Sequence, residues 1–217
     1  MLGAVESLLR RERAFAVGRE RVPWLEIAAI AVTGGAVYGA VMGFYGANPL
    51  QALYSAVKVP LLLTVATLIC LPNFLVLNTV LGLRDDFPAA FRGILSAQGT
   101  LAVCLASLAP VTALAYASTD YYAFTKVANG AMFAIASLTG QITLAHHYGP
   151  LIARYRAHRL GLAAWLTLYV FVSVQLAWVL RPFIGAPGLP TVFFREDAWG
   201  NAYVEVARAV WQVVTGQ

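Results

Sequence analysis

The chain has 217 residues, of which 60% are hydrophobic and only 12% charged, with a formal net charge of +5 and a mean hydropathy of +0.71. A soluble domain of this size cannot hide so much apolar surface, so the solvent for most of the chain is a lipid bilayer. The basic balance reports membrane topology and not nucleic acid, because the aromatic–basic alternation that grips single strands is missing.

Residues 1–23 form a cytoplasmic segment. Leu2, Val5, Leu8 and Leu9 share one side of a helix, with Arg10, Arg11 and Arg13 close behind. That suits an amphipathic helix on an anionic leaflet, or a plain charged flank. The charges are spread out and the apolar run after them is span-length, so a cleavable signal peptide is not expected. A crossing needs about 20 apolar residues, and five stretches qualify: 24–45, 59–83, 93–117, 122–147 and 161–180. The third and fourth are joined only by Ser118-Thr119-Asp120-Tyr121, which makes them a helical hairpin. Each stretch is apolar all round, whereas a soluble bundle needs a polar side on every helix. The expected fold is all-α: a polytopic five-span transmembrane bundle over 24–180.

Basic residues set the orientation. Arg10, Arg11, Arg13, Arg19, Arg21, Arg84, Arg92, Arg154, Arg156 and Arg159 fall on one side of a five-span arrangement. Lys58, Lys126, Arg181, Arg195 and Arg208 fall on the other. The N-terminus is thus expected in the cytoplasm and the C-terminus outside, with a bacterial inner membrane as the setting.

The tail, 181–217, opens with Arg181-Pro182, and Pro187, Gly188 and Pro190 keep it irregular. The segment 202–214 carries Val206, Val210, Trp211 and Val214 on one side and reads as a helix lying on the outer membrane surface. Trp199 and Trp211 then sit at headgroup depth, where they are candidates for docking a partner protein.

Gly35, Gly39 and Gly43 recur every four residues on the first span, with Gly34 beside them, and allow a second helix to approach closely, within the monomer or in a homo-oligomer. Pro72 breaks the second span near its middle and frees a carbonyl that Asn73 or a polar neighbour can satisfy; Pro110 does the same in the third. Such a midplane break marks the binding site in some transporters. Glu26, Asn78, Gln98, Gln141, Thr143 and His146 fall toward one half of the bilayer and are expected to form an inter-helix polar cluster. Within it Glu26 and His146 are the one candidate acid–histidine pair. Lys126 is expected to snorkel outward and pair with Asp120. Asp85-Asp86 reads as a solvated turn, and Cys70 and Cys104 as small core residues. No metal or cofactor site is expected.

Five spans with this orientation, and Lys58-Val59-Pro60-Leu61-Leu62-Leu63 running on to Pro72 and Asn78, resemble the Yip1-type membrane proteins and bacterial proteins loosely grouped with them. The family's acidic-tyrosine-glycine-proline signature is absent from the N-terminal segment; Tyr148-Gly149-Pro150 is a fragment of it in another loop. The resemblance implies a membrane-organising or partner-recruiting role without catalysis, and assigns no site residues. The expected function is a non-catalytic scaffold, assembly factor or accessory subunit. The alternative is a small permease or channel component built around Pro72-Asn73, and a lipid enzyme using Glu26 and His146 ranks third.

Overall fold

The computed structural model describes residues 24–119, 121–186, 188–195 and 200–204. Among these are five long helices and no strand: α1 (Trp24–Gly43), α2 (Pro49–Val80), α3 (Phe87–Ser118), α4 (Tyr122–Arg154) and α5 (His158–Leu180). All five are long and apolar enough to cross a membrane. The expected N-terminal helix lies outside the described residues, as does the surface helix of the tail apart from a helical turn at 202–204.

Three helices outrun the apolar stretches. α2 starts at Pro49 and not near residue 59, because the Asn48 side chain accepts from the Gln51 N–H at 3.0 Å and Pro49 occupies the first turn. α3 likewise starts at Phe87, with Pro88 in its first turn, and α4 continues to Arg154. These helices have 32, 32 and 33 residues, about 48 Å each, so their ends extend well past a hydrocarbon core of about 30 Å.

The connections are tight. Between α1 and α2 the backbone turns through Gly46 (φ 68°) and Ala47 (φ 55°). Ala47 holds a left-handed conformation that alanine rarely adopts. At the end of α2, Gly82 (φ 71°) lets its own N–H reach Thr79 O at 3.1 Å while the Leu83 N–H reaches Asn78 O at 2.7 Å. This glycine closure terminates the helix.

In space, α1 packs between α2 and α3, α4 packs on α3, and α5 packs on α2. Gly35, Gly39 and Gly43 all face α2. A Cβ on Gly39 would run into Ser55 O, and one on Gly43 would lie 2.5 Å from Gln51 O. Gly34 faces α3 instead, with Ala102 O 2.7 Å from its ideal Cβ. The ridge is therefore occupied within the chain.

Two cores fill the two ends. At the end bearing the α2–α3 and α4–α5 connections (the far end), Phe74, Ile94, Leu144, Trp165 and Tyr169 pack together from α2, α3, α4 and α5. At the other (the tail end), Tyr38, Met42, Leu63 and Leu105 pack together, and α5 contributes nothing; Ile184 from the tail takes its place. Outward lie Leu25, Val76, Val80, Leu114 and Leu138, each more than 60% exposed, an apolar surface that suits lipid and not water.

Candidate functional site

The densest polar construction lies at the tail end. Gln51, Ser55 and Lys58 follow one another on a single face of α2, at i, i+4 and i+7, and all three are fully buried. They hold the chain as it leaves α5. Gln51 Nε2 donates to Pro182 O at 2.9 Å and Phe183 O at 3.1 Å. Ser55 Oγ donates to Phe183 O. Lys58 Nζ donates to Pro182 O at 2.7 Å and lies 4.7 Å from the centre of the Phe193 ring, which itself packs edge-on against Tyr54. Asn48, already capping α2, donates through Nδ2 to Thr191 Oγ1 at 2.7 Å. The tail is thus latched to α2 by backbone carbonyls accepting from buried side chains, the arrangement that makes a buried ammonium tolerable.

A second buried network ties α1, α3 and α4 at the same end. Tyr38 Oη donates to Asn129 Oδ1 at 2.9 Å, Asn129 Nδ2 donates to Tyr116 Oη at 2.8 Å, and Tyr116 Oη donates to Met42 O at 2.8 Å. Further along, Gln175 grips the returning tail, donating to Gly200 O and accepting from the Ala202 N–H, both at 3.0 Å. Tyr203 stacks on Phe171 with ring centres 4.6 Å apart.

At the far end Asp86 is not a solvated turn residue. Its carboxylate meets His158 Nε2 at 3.1 Å and Arg154 Nη1 at 3.4 Å, joining the α2–α3 and α4–α5 connections. Asp85 beside it stays exposed.

The sequence candidates separate from this picture. Glu26 and His146 are both exposed and no contact joins them. The expected inter-helix cluster does not assemble: Asn78 bonds Phe74 O and Thr143 bonds Thr139 O, each within its own helix. Short polar side chains in a helix find the carbonyl four residues back without needing a neighbour. Of the set, Gln98 alone makes an inter-helix bond, accepting from Tyr169 Oη at 3.1 Å, while Gln141 Oε1 has no partner. Pro72 and Asn73 are exposed on the outside of the bundle, and Asn73 Nδ2 reaches Ile69 O at 3.4 Å, not the carbonyl freed by Pro72. Lys126 is exposed, its Nζ 4.9 Å from the Tyr122 ring centre; Asp120, its expected partner, lies outside the described residues, as do Trp199 and Trp211. The lysine that is costly to bury is Lys58, read from sequence as a loop charge. Cys70 and Cys104 are free thiols, and no group of three or more His, Cys, Asp or Glu side chains gathers among the described residues.

No protein-family model, curated protein or solved structure matches the chain. Five apolar helices of spanning length with a lipid-compatible exterior define the class: a polytopic helical integral membrane protein.

Proposed function

We propose that this protein is a non-catalytic platform in the membrane: a scaffold, assembly factor or accessory subunit that presents its latched tail to a partner protein. The observation that carries this reading is the row Gln51–Ser55–Lys58. Three buried polar side chains on α2 are committed to fixing one loop. Held that way, the loop displays Leu189 and Phe194, 61% and 47% exposed, at the end of the bundle. A rigid apolar display on a fixed frame suits recognition, since little ordering is left to be done on contact. Trp199 and Trp211, the docking candidates of the sequence, lie outside the described residues and are proposed as further contacts for the same partner. In this reading the N-terminus is cytoplasmic, the tail is extracytoplasmic and the membrane is a bacterial inner membrane, in line with the positive-inside count and with the resemblance to Yip1-type proteins. The expected break at Pro72 does not occur, since α2 runs uninterrupted from Pro49 to Val80 with Pro72 and Asn73 on its outer side, so a permease reading draws no support from them.

The test is purification of the tagged protein from its native membranes in mild detergent, with and without Leu189→Ser and Phe194→Ser together. A stoichiometric partner that is lost in the double variant, with melting unchanged, supports the platform. A lone protein, or a partner retained at the same stoichiometry by the variant, overturns it.

A further inference from the structure

The outer face of α2 carries a polar side chain at hydrocarbon depth that its own helix leaves largely unsatisfied. Asn73 lies about 10 Å along α2 from the helix end at Val80 and about 22 Å from Lys58, at 1.5 Å per residue. The exposed side chains around it are apolar, Leu68 and Ile69 toward one end and Val76 and Val80 toward the other. An amide has two N–H donors and an acceptor oxygen. The Asn73 Nδ2 reaches Ile69 O at 3.4 Å, longer than an ordinary N–H···O bond, and its Oδ1 accepts from none of the described residues. By contrast, the exposed hydroxyls of Thr33, Thr79 and Ser107 spend their one proton on the carbonyl four residues back, at 2.7, 2.9 and 2.9 Å. Pro72 has no N–H, so the Leu68 carbonyl beside Asn73 loses its usual helical donor. Lipid chains offer no hydrogen bond to any of these groups.

Asn73 also sits in a seam. Ile69, Asn73, Val76 and Val80 follow one another at intervals of four, three and four on an exposed stripe, the spacing of paired helices. A single asparagine in such an apolar seam fixes register and oligomer state. The Gly35–Gly39–Gly43 ridge, the other surface suited to self-association, is used up against α2 within the chain.

We propose that α2 pairs with α2 of a second copy of this chain, parallel and in register, the Asn73 amide of each copy donating to the amide oxygen of the other. A two-fold axis along the membrane normal puts identical residues at identical depth, and an amide, being both donor and acceptor, is complementary to itself. A second copy therefore brings the matching group to the level where it is needed. The pairing stands apart from the platform reading, because the latched tail lies at the opposite end of the bundle and pairing is measured with no other protein present.

The full chain, labelled at its C-terminus with a donor or an acceptor fluorophore and reconstituted alone in phosphatidylcholine bilayers, reports pairing by energy transfer as the protein is diluted in lipid. The parent pairs. Asn73→Leu weakens the dimer about five- to thirtyfold, the range for a hydrogen-bonded side-chain pair between model membrane helices, and melting is unchanged because the side chain is exposed. Cross-linking reads the seam itself: Ile69→Cys joins two copies under mild oxidation, and Leu138→Cys, on the exposed side of α4, does not. No energy transfer at any dilution, an Asn73→Leu dimer as tight as the parent, or cross-linking through Leu138→Cys equal to that through Ile69→Cys would each overturn the pairing.

Discussion

Replacing Lys58 by methionine and Gln51 by leucine, singly and together, tests whether the tail is held by a shared carbonyl. In the Lys58→Met chain, Pro182 O loses one donor at 2.7 Å but keeps Gln51 Nε2 at 2.9 Å. A hydrogen bond to a charged group contributes about 1.5–3 kcal/mol. The several kcal/mol of desolvation that the ammonium no longer suffers offsets it. The net change is within about 1 kcal/mol, or fivefold in opening. In Gln51→Leu, Pro182 O keeps Lys58 and Phe183 O keeps Ser55, so the loss is two neutral bonds from one amide, about 1–2 kcal/mol together. The double variant differs in kind. Pro182 O then loses both donors while remaining buried, which adds about 1–3 kcal/mol for an orphaned acceptor. Tail opening should rise about a hundredfold, more than the product of the singles. Hydrogen exchange of the peptides covering 183–195, measured in detergent, reads that opening directly. If the double variant exchanges no faster than the singles combined, the carbonyl is not the shared anchor and the latch argument fails.

Three further outcomes follow from the packing. Gly39→Ala drives a Cβ into Ser55 O and should cost about 1–3 kcal/mol in detergent melting, whereas Gly130→Ala, which meets nothing within 4 Å, should not lower it. Asp86→Ala strips buried His158 of its Nε2 partner at 3.1 Å and should cost about 1–3 kcal/mol; Asp85→Ala, on an exposed side chain, should leave melting within about 0.5 kcal/mol of the parent. Asn129→Leu severs α4 from Tyr38 and Tyr116 and should cost about 1–2 kcal/mol, the upper part of the range for inter-helix polar contacts in membranes. An unchanged melting point in Gly39→Ala, Asp86→Ala or Asn129→Leu would remove the corresponding contact from the account of stability.

The five helices were legible because membrane spans announce themselves by composition, and the small-residue spacing of α1 was visible as a surface for close approach. Helix starts were less so. Asn48-Pro49 is a cap followed by a first-turn proline, but Lys58 and Pro60 interrupt the hydropathy just beyond it, and an apolar window reads that interruption as a boundary. Tyrosine misled in the opposite sense. Counted as apolar, Tyr38 and Tyr116 drop out of any search for polar side chains, yet their hydroxyls organise the network around Asn129. Of the residues that did stand out as polar, Asn73, Asn78 and Thr143 bonded their own helix, which needs no tertiary partner and leaves no sign of itself in spacing.

The latch is the harder case, and its two halves differ in how far sequence can reach them. The row Gln51, Ser55, Lys58 has a helical period, and once α2 is extended back to Asn48 all three must share a face. A polar face on an otherwise apolar helix asks for a partner. What answers it is the backbone of 182–183, and a carbonyl oxygen is the same atom in every residue. Side-chain identity at Pro182 and Phe183 therefore carries no trace of the bonds their carbonyls accept.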